Sequence, residues 1–107
     1  MSEKTCVVVD DDETTRRFLA MVLKVRQLQC LHAENASQAL TIVRELGERL
    51  DLVVADVVMP GDMDGVDLAH AIRHAYPAIP VILISGFVEE AALRSSGFPF
   101  IPKPFLP

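Results

Sequence analysis

A buried-strand run, Val7-Val8-Val9, breaks off in three consecutive carboxylates, Asp10-Asp11-Asp12, and this junction restricts the fold more than any other stretch of the chain. Apolar runs that carry no polar face belong to strands covered by helices on both sides, as in parallel sheets. A second run, Leu52-Val53-Val54-Ala55, stops in Asp56 in the same way. Parallel strands that end in acids bring those acids together at the carboxyl edge of the sheet, where open α/β sheets bind ligands. Carboxylates crowded there repel one another unless a cation lies among them. A third run, Val81-Ile82-Leu83-Ile84, ends in the hydroxyl of Ser85, and a short fourth, Phe100-Ile101, comes just before Lys103. Acid, acid, hydroxyl and lysine in that order make a site that handles a phosphoryl group.

The intervening segments read as helices, which parallel strands require of their crossovers. Asp12 or Glu13 starts the first, with Phe18, Met21, Val22 and Val25 at helical spacing on one face. Asn35 caps the second, whose stripe of Ala36, Ala39, Leu40, Val43 and Leu46 runs to Gly47. The third begins near Asp64-Gly65, buries Leu68, Ala71, Ile72 and Ala75, and ends at Tyr76-Pro77. A short fourth runs from about Val88 to just before Gly97, and a further strand spans about Gln29 to Ala33.

Composition narrows the function. The chain has 107 residues and a formal net charge of −5, enough for one core and without a Lys/Arg block that could neutralise a nucleic-acid backbone. Cys6 and Cys30 lack metal or redox spacing and read as core thiols of a reducing compartment. No signal segment or membrane-length apolar run is present, so a cytoplasmic location without membrane contact is expected. His70 and His74 sit four apart, a spacing that can bind metal, but with no third ligand they read as a solvent-facing pair. Gly61-Asp62-Met63-Asp64 resembles part of a calcium loop, lacks its later glutamate and is read as a rim loop.

With these strand ends in order, the chain resembles the receiver domain of two-component response regulators from about Cys6 to Phe105. The motifs are Asp10-Asp11, Asp56 with Met59-Pro60 behind it, Ser85-Gly86, and Lys103-Pro104-Phe105. Each must fall independently at the end of a strand, which makes their joint occurrence specific. The phrasing Asp56-Val57-Val58-Met59-Pro60-Gly61 resembles in particular receivers attached to hybrid histidine kinases. The resemblance implies a flavodoxin-like α/β fold, a doubly wound five-stranded parallel sheet of order 2-1-3-4-5. Residues 1–107 would form one receiver domain. The usual fifth helix is expected to be missing from residues 1–107, since the motif Lys103-Pro104-Phe105 is followed here only by Leu106-Pro107. Four helices cannot cover both sheet faces as five do, so a bare apolar face would self-associate or be covered by a following helix.

The resemblance also implies function: a phosphoacceptor signalling domain of a phosphorelay rather than an enzyme with a separate substrate. Asp56 would take a phosphoryl group from a phosphohistidine on a histidine kinase or phosphotransfer protein. Mg2+ would be held by Asp10, Asp11, Asp56 and the main-chain carbonyl of Val58. Lys103 would pair with Asp56 and then with a phosphoryl oxygen. Ser85 would move to bond that group and Phe100 would fill the space it leaves, although Phe100 lacks a tyrosine hydroxyl and is equally readable as a core residue. The Val58 and Phe87 side chains would flank the path of a hydrolytic water and tune autodephosphorylation. A rival reading is a haloacid-dehalogenase-type phosphatase with Asp10 as nucleophile, because Asp10 to Thr14 fits that superfamily's D-x-D-x-T pattern. Its lysine should precede the distal acids, and here Lys103 follows them.

Overall fold

In the computed structural model, which describes residues 4–85, 94 and 96–102, every acid-ended run of the sequence is a strand. The order is β1 (Lys4–Val9), α1 (Glu13–Val25), β2 (Leu28–Ala33), α2 (Ala36–Leu46), a 3-10 turn (Gly47–Arg49), β3 (Leu52–Asp56), α3 (Gly65–Ala75), β4 (Val81–Ser85) and β5 (Phe100–Pro102). The strands form one sheet in the order β2-β1-β3-β4-β5, parallel throughout. This is the expected doubly wound arrangement. The crossover helix expected from Val88 lies outside the described residues apart from Arg94 and Ser96.

Register decides what meets at the carboxyl edge. Val9 lies opposite Ala55, so Asp10 and Asp56 follow side by side on neighbouring strands. Asp56 lies opposite Ile84, which sets Ser85 one residue beyond it. A slip of one residue on either strand would turn these side chains to the other face of the sheet.

Alternation along the strands divides the core. Val7, Val9, Val53, Ala55, Val81 and Leu83 pack with Ala36, Ala39 and Val43 of α2 and Leu68, Ala69 and Ile72 of α3. Val8, Val54 and Ile84 face the other way, onto Leu19 and Leu23 of α1. Each large side chain fully withdrawn from water, such as Leu68, Ile72 or Leu83, contributes roughly 1.5–3 kcal/mol.

The caps of α2 follow the sequence: the Asn35 side chain accepts from the Gln38 N–H at 2.8 Å, and Gly47 closes the helix with φ of +52°. Two helical faces differ from expectation. In α1 the expected stripe is not the buried face: Phe18 is half-buried, and Met21, Val22 and Val25 are exposed. Arg16 and Leu19 are buried in its place, because Leu19 and Leu23, four apart, are the pair that meets the Val8–Val54–Ile84 face. In α3, Ala69 is buried, while Ala71 is only half-buried and Ala75 is exposed. The helix presents Gly65, Leu68, Ala69 and Ile72 to the sheet, and its last turn runs clear of it.

The cysteines also need correction. Cys6 and Cys30 stand opposite each other on β1 and β2, their Cα atoms 4.7 Å apart, and their sulfurs are bonded. A separation of 24 residues hides this pairing, which strand register alone creates.

Candidate functional site

The carboxylates of Asp10, Asp11 and Asp56 converge, offering oxygen atoms that all lie within 4.8 Å of one another. Asp10 and Asp56 are buried, whereas Asp11 is exposed at the mouth. The backbone fixes each of them. The Asp10 N–H donates to the Ala33 carbonyl at 3.1 Å, and Asp10 Oδ1 accepts from the Asp12 N–H at 2.9 Å. That second bond folds the chain from strand into helix and sends Asp11 outwards. Asp12 occupies the N-cap position of α1 and its carboxylate accepts from Thr15 Oγ1 at 2.5 Å.

Asp56 is held from the other side. Its Oδ1 accepts from the Val58 N–H at 3.2 Å. The Val57 N–H reaches the Ile84 carbonyl at 2.9 Å, and the Gly65 N–H reaches the Val57 carbonyl at 2.8 Å. Gly65 is pressed so closely against this turn that an added Cβ would lie 2.8 Å from the Asp56 carbonyl carbon and equally close to Val57 Cα. Just before it, Asp64 and Asp67 form a reciprocal capping box at the start of α3. Asp64, the last acid of the loop that resembled a calcium site, is therefore a cap.

Ser85 is fully buried, and its hydroxyl has no hydrogen-bond partner among the described residues. Such a group costs about 1–3 kcal/mol unless something uses it. Val58 is 59% exposed at the rim. Phe100 on β5 is partly buried against the larger core. Lys103 and Phe87 lie outside the described residues, although β5 ends at Pro102, immediately before Lys103. His70 and His74 are both exposed, as expected of a solvent-facing pair, and the His70 ring lies edge-on to Phe98 at 5.0 Å. Arg73 stacks on the same ring at 3.6 Å. An open cavity of about 550 Å3 is lined by the start of α2 and residues 60–63, and not by Asp10, Asp11 or Asp56.

Two residues escape a reading by motif. Gly65 appears in the sequence only as a helix start, and its close approach to Asp56 is a tertiary fact. Arg16 is buried, with Nη1 donating to the Asp10 carbonyl at 2.5 Å. Its sequence signal is a basic residue in the first turns of a helix, where the macrodipole disfavours positive charge.

Chemically, the cluster is a set of hard oxygen donors, two buried and one open to water. It suits a small divalent cation that keeps part of its hydration shell, and Mg2+ fits that description.

The family model described as response regulator receiver domain matches residues 6–107. The sensor kinase CckA of Brucella abortus is 38% identical over 105 residues, which cover 94% of this chain and 11% of that protein. A putative NtrX-like response regulator of Rickettsia bellii is 36% identical over 110 residues, 98% of this chain and 23% of that protein. The chain thus spans less than a quarter of the length of these relatives. Among solved structures, the receiver domain of the hybrid histidine kinase CckA superposes with a TM-score of 0.77 at 30% identity, covering 95% of this chain and 87% of that one. TrrA of Thermotoga maritima, in complex with Mg2+ and beryllofluoride, gives 0.83 at 29% identity, covering 95% and 88%. These neighbours are receivers and not phosphatases, which overturns the haloacid-dehalogenase alternative. Asp10 agrees, since it is buried with one carboxylate oxygen committed to the turn at Asp12. The chain belongs to the response regulator receiver domains and is a receiver of two-component signalling.

Proposed function

We propose that the chain accepts a phosphoryl group from a phosphohistidine of a histidine kinase or phosphotransfer protein onto Asp56. The observation that carries this reading is the meeting of three carboxylates within 4.8 Å, with the buried Ser85 one residue beyond the strand partner of Asp56. In the transfer, a carboxylate oxygen of Asp56 attacks phosphorus, the phosphorus–nitrogen bond breaks, and its electron pair returns to the imidazole. The Val58 N–H, bonded to Oδ1, orients the nucleophile. Asp10, Asp11, Asp56 and the Val58 carbonyl would hold Mg2+, which when bound neutralises phosphoryl oxygens. Ser85 then gains the acceptor it lacks, and Lys103 supplies a further positive charge. Phe100 would shift into the space vacated near Ser85, a change the phosphoryl group drives by favouring one of two conformers. Residues 1–107 act in this reading as one receiver domain, a phosphoacceptor whose own chemistry extends to autodephosphorylation.

The test is phosphorylation by acetyl phosphate in Mg2+, read by intact mass. Asp56→Asn should remove the adduct, whereas Asp10→Asn should retain it at a reduced rate. An adduct that survives Asp56→Asn and disappears with Asp10→Asn would sink the reading.

A further inference from the structure

The buried face of α1 has an unexpected member. Leu19 and Leu23 pack on the sheet, and one turn earlier on the same stripe, at the end nearest the acids, an apolar residue would complete the pattern. Arg16 stands there, 7% exposed. Burying a guanidinium is costly unless it is paired, and a positive charge in the first turns of a helix opposes the macrodipole. Its neighbour Arg17 avoids both costs by lying in solvent with an ion pair to Glu13 at 3.1 Å. Arg16 Nη1 donates to the main-chain oxygen of Asp10 at 2.5 Å, and its buried Nε has no partner among the described residues. Packing alone would favour leucine at this position.

We infer that Arg16 is a positioning residue of the acidic site. By holding the Asp10 carbonyl it fixes the peptide joining Asp10 to Asp11, and with it the direction in which Asp11 points. Its charge also lies on the helix that flanks three mutually repelling carboxylates. Asp10 Oδ1 is bonded to the Asp12 N–H, so the turn is clamped at both ends, by a carboxylate from within and a guanidinium from behind. The inference rests on the proposed metal role of Asp10 and Asp11.

Mg2+ alone is the probe, titrated into the full chain and followed by the amide resonances of residues 10–12 and 56–58. Arg16→Met should weaken half-saturation about tenfold, the effect usual for residues that orient metal ligands. Arg16→Lys should recover part of the loss, and Arg17→Met should leave the wild-type value. Arg16→Gln is the second variant, neutral but still polar, and sucrose can be added to favour the folded state. A folded Arg16→Met or Arg16→Gln protein that binds Mg2+ like wild type overturns the inference. So does failure of both to fold in sucrose, which would make Arg16 a purely structural residue. A wild type whose amides ignore Mg2+ removes the metal reading itself, whereas responsive variants indistinguishable from wild type remove only the role of Arg16.

Discussion

Gly65, at the first turn of α3, and Asp56, at the end of β3, are in backbone contact: there is no room for a side chain between them, and a Cβ on Gly65 would press on the Asp56 carbonyl and on Val57 Cα. The obstructing atoms are main chain on a buried strand, so they cannot swing aside as a flexible side chain would. Gly65→Ala should therefore destabilise the fold by about 3 kcal/mol, although alanine is the better helix former. The folded fraction should also lose phosphoacceptor activity, because the strain falls on the turn that aims Asp56. Urea unfolding combined with acetyl phosphate labelling checks both effects. An alanine variant as stable and as reactive as wild type would mean that the turn at Val57 is looser than described.

The phase of α1 makes a second test, because two apolar faces compete in its sequence. Leu19 is buried, whereas Met21 is 62% and Val25 79% exposed. Leu19→Ala should cost about 2–4 kcal/mol, while Met21→Gln and Val25→Gln should each change stability by about 0.5 kcal/mol or less. Chemical denaturation of the three variants decides the matter. The opposite ranking would restore the stripe that spacing alone suggested.

That stripe illustrates what was legible in the sequence. Strand ends were readable because a buried run that stops in Asp10, Asp56 or Ser85 needs no partner to be recognised, and parallel pairing then brings those ends together. Helix caps at Asn35 and Asp64 are equally local. The rotation of α1 was not readable, because Met21, Val22 and Val25 are as apolar as Leu19 and Leu23, and only the sheet beneath selects between them. Ala69 and Ala75 in α3 were confused for the same reason. Arg16, Gly65 and the Cys6–Cys30 pair depend on contacts between segments distant in sequence, or on a burial that composition argues against. The convergence of Asp10, Asp11 and Asp56 was thus visible, while the contacts that hold them in place were not.

Metal dependence follows from the donor set. Asp11 is the exposed member of the cluster, so its removal empties the mouth of the site with little effect on the core. Wild type in Mg2+ should gain thermal stability with beryllofluoride, because a ligand bound only to the folded state stabilises it in proportion to the logarithm of its concentration over Kd. Asp11→Ala should lose most of that gain while keeping a similar melting temperature without additives. Equal stabilisation of both proteins by beryllofluoride in Mg2+ would show that Asp11 is not a ligand.

If Asp56 is the phosphoacceptor proposed above, the lifetime of the phosphorylated state should depend on Val58. Its main-chain N–H is bonded to Asp56 Oδ1, and its side chain, 59% exposed, stands at the rim over which a hydrolytic water must pass. An isopropyl group can neither orient nor activate that water, so the acyl phosphate should be long-lived. Replacement by a residue able to hydrogen-bond the water would make the attack geometry more frequent, the kind of positioning that lowers the barrier to hydrolysis. Val58→Asn should accelerate loss of phosphate by about tenfold, a modest share of what good orientation can supply. The change should leave stability nearly untouched, because the side chain it replaces is largely in solvent. Phe87→Glu, added to Val58→Asn, should raise the rate further if that residue borders the same path. Decay of phosphorus-labelled protein after removal of donor gives the rate directly. An unchanged or slower decay in Val58→Asn would mean that water reaches the phosphoryl group by a route Val58 does not control.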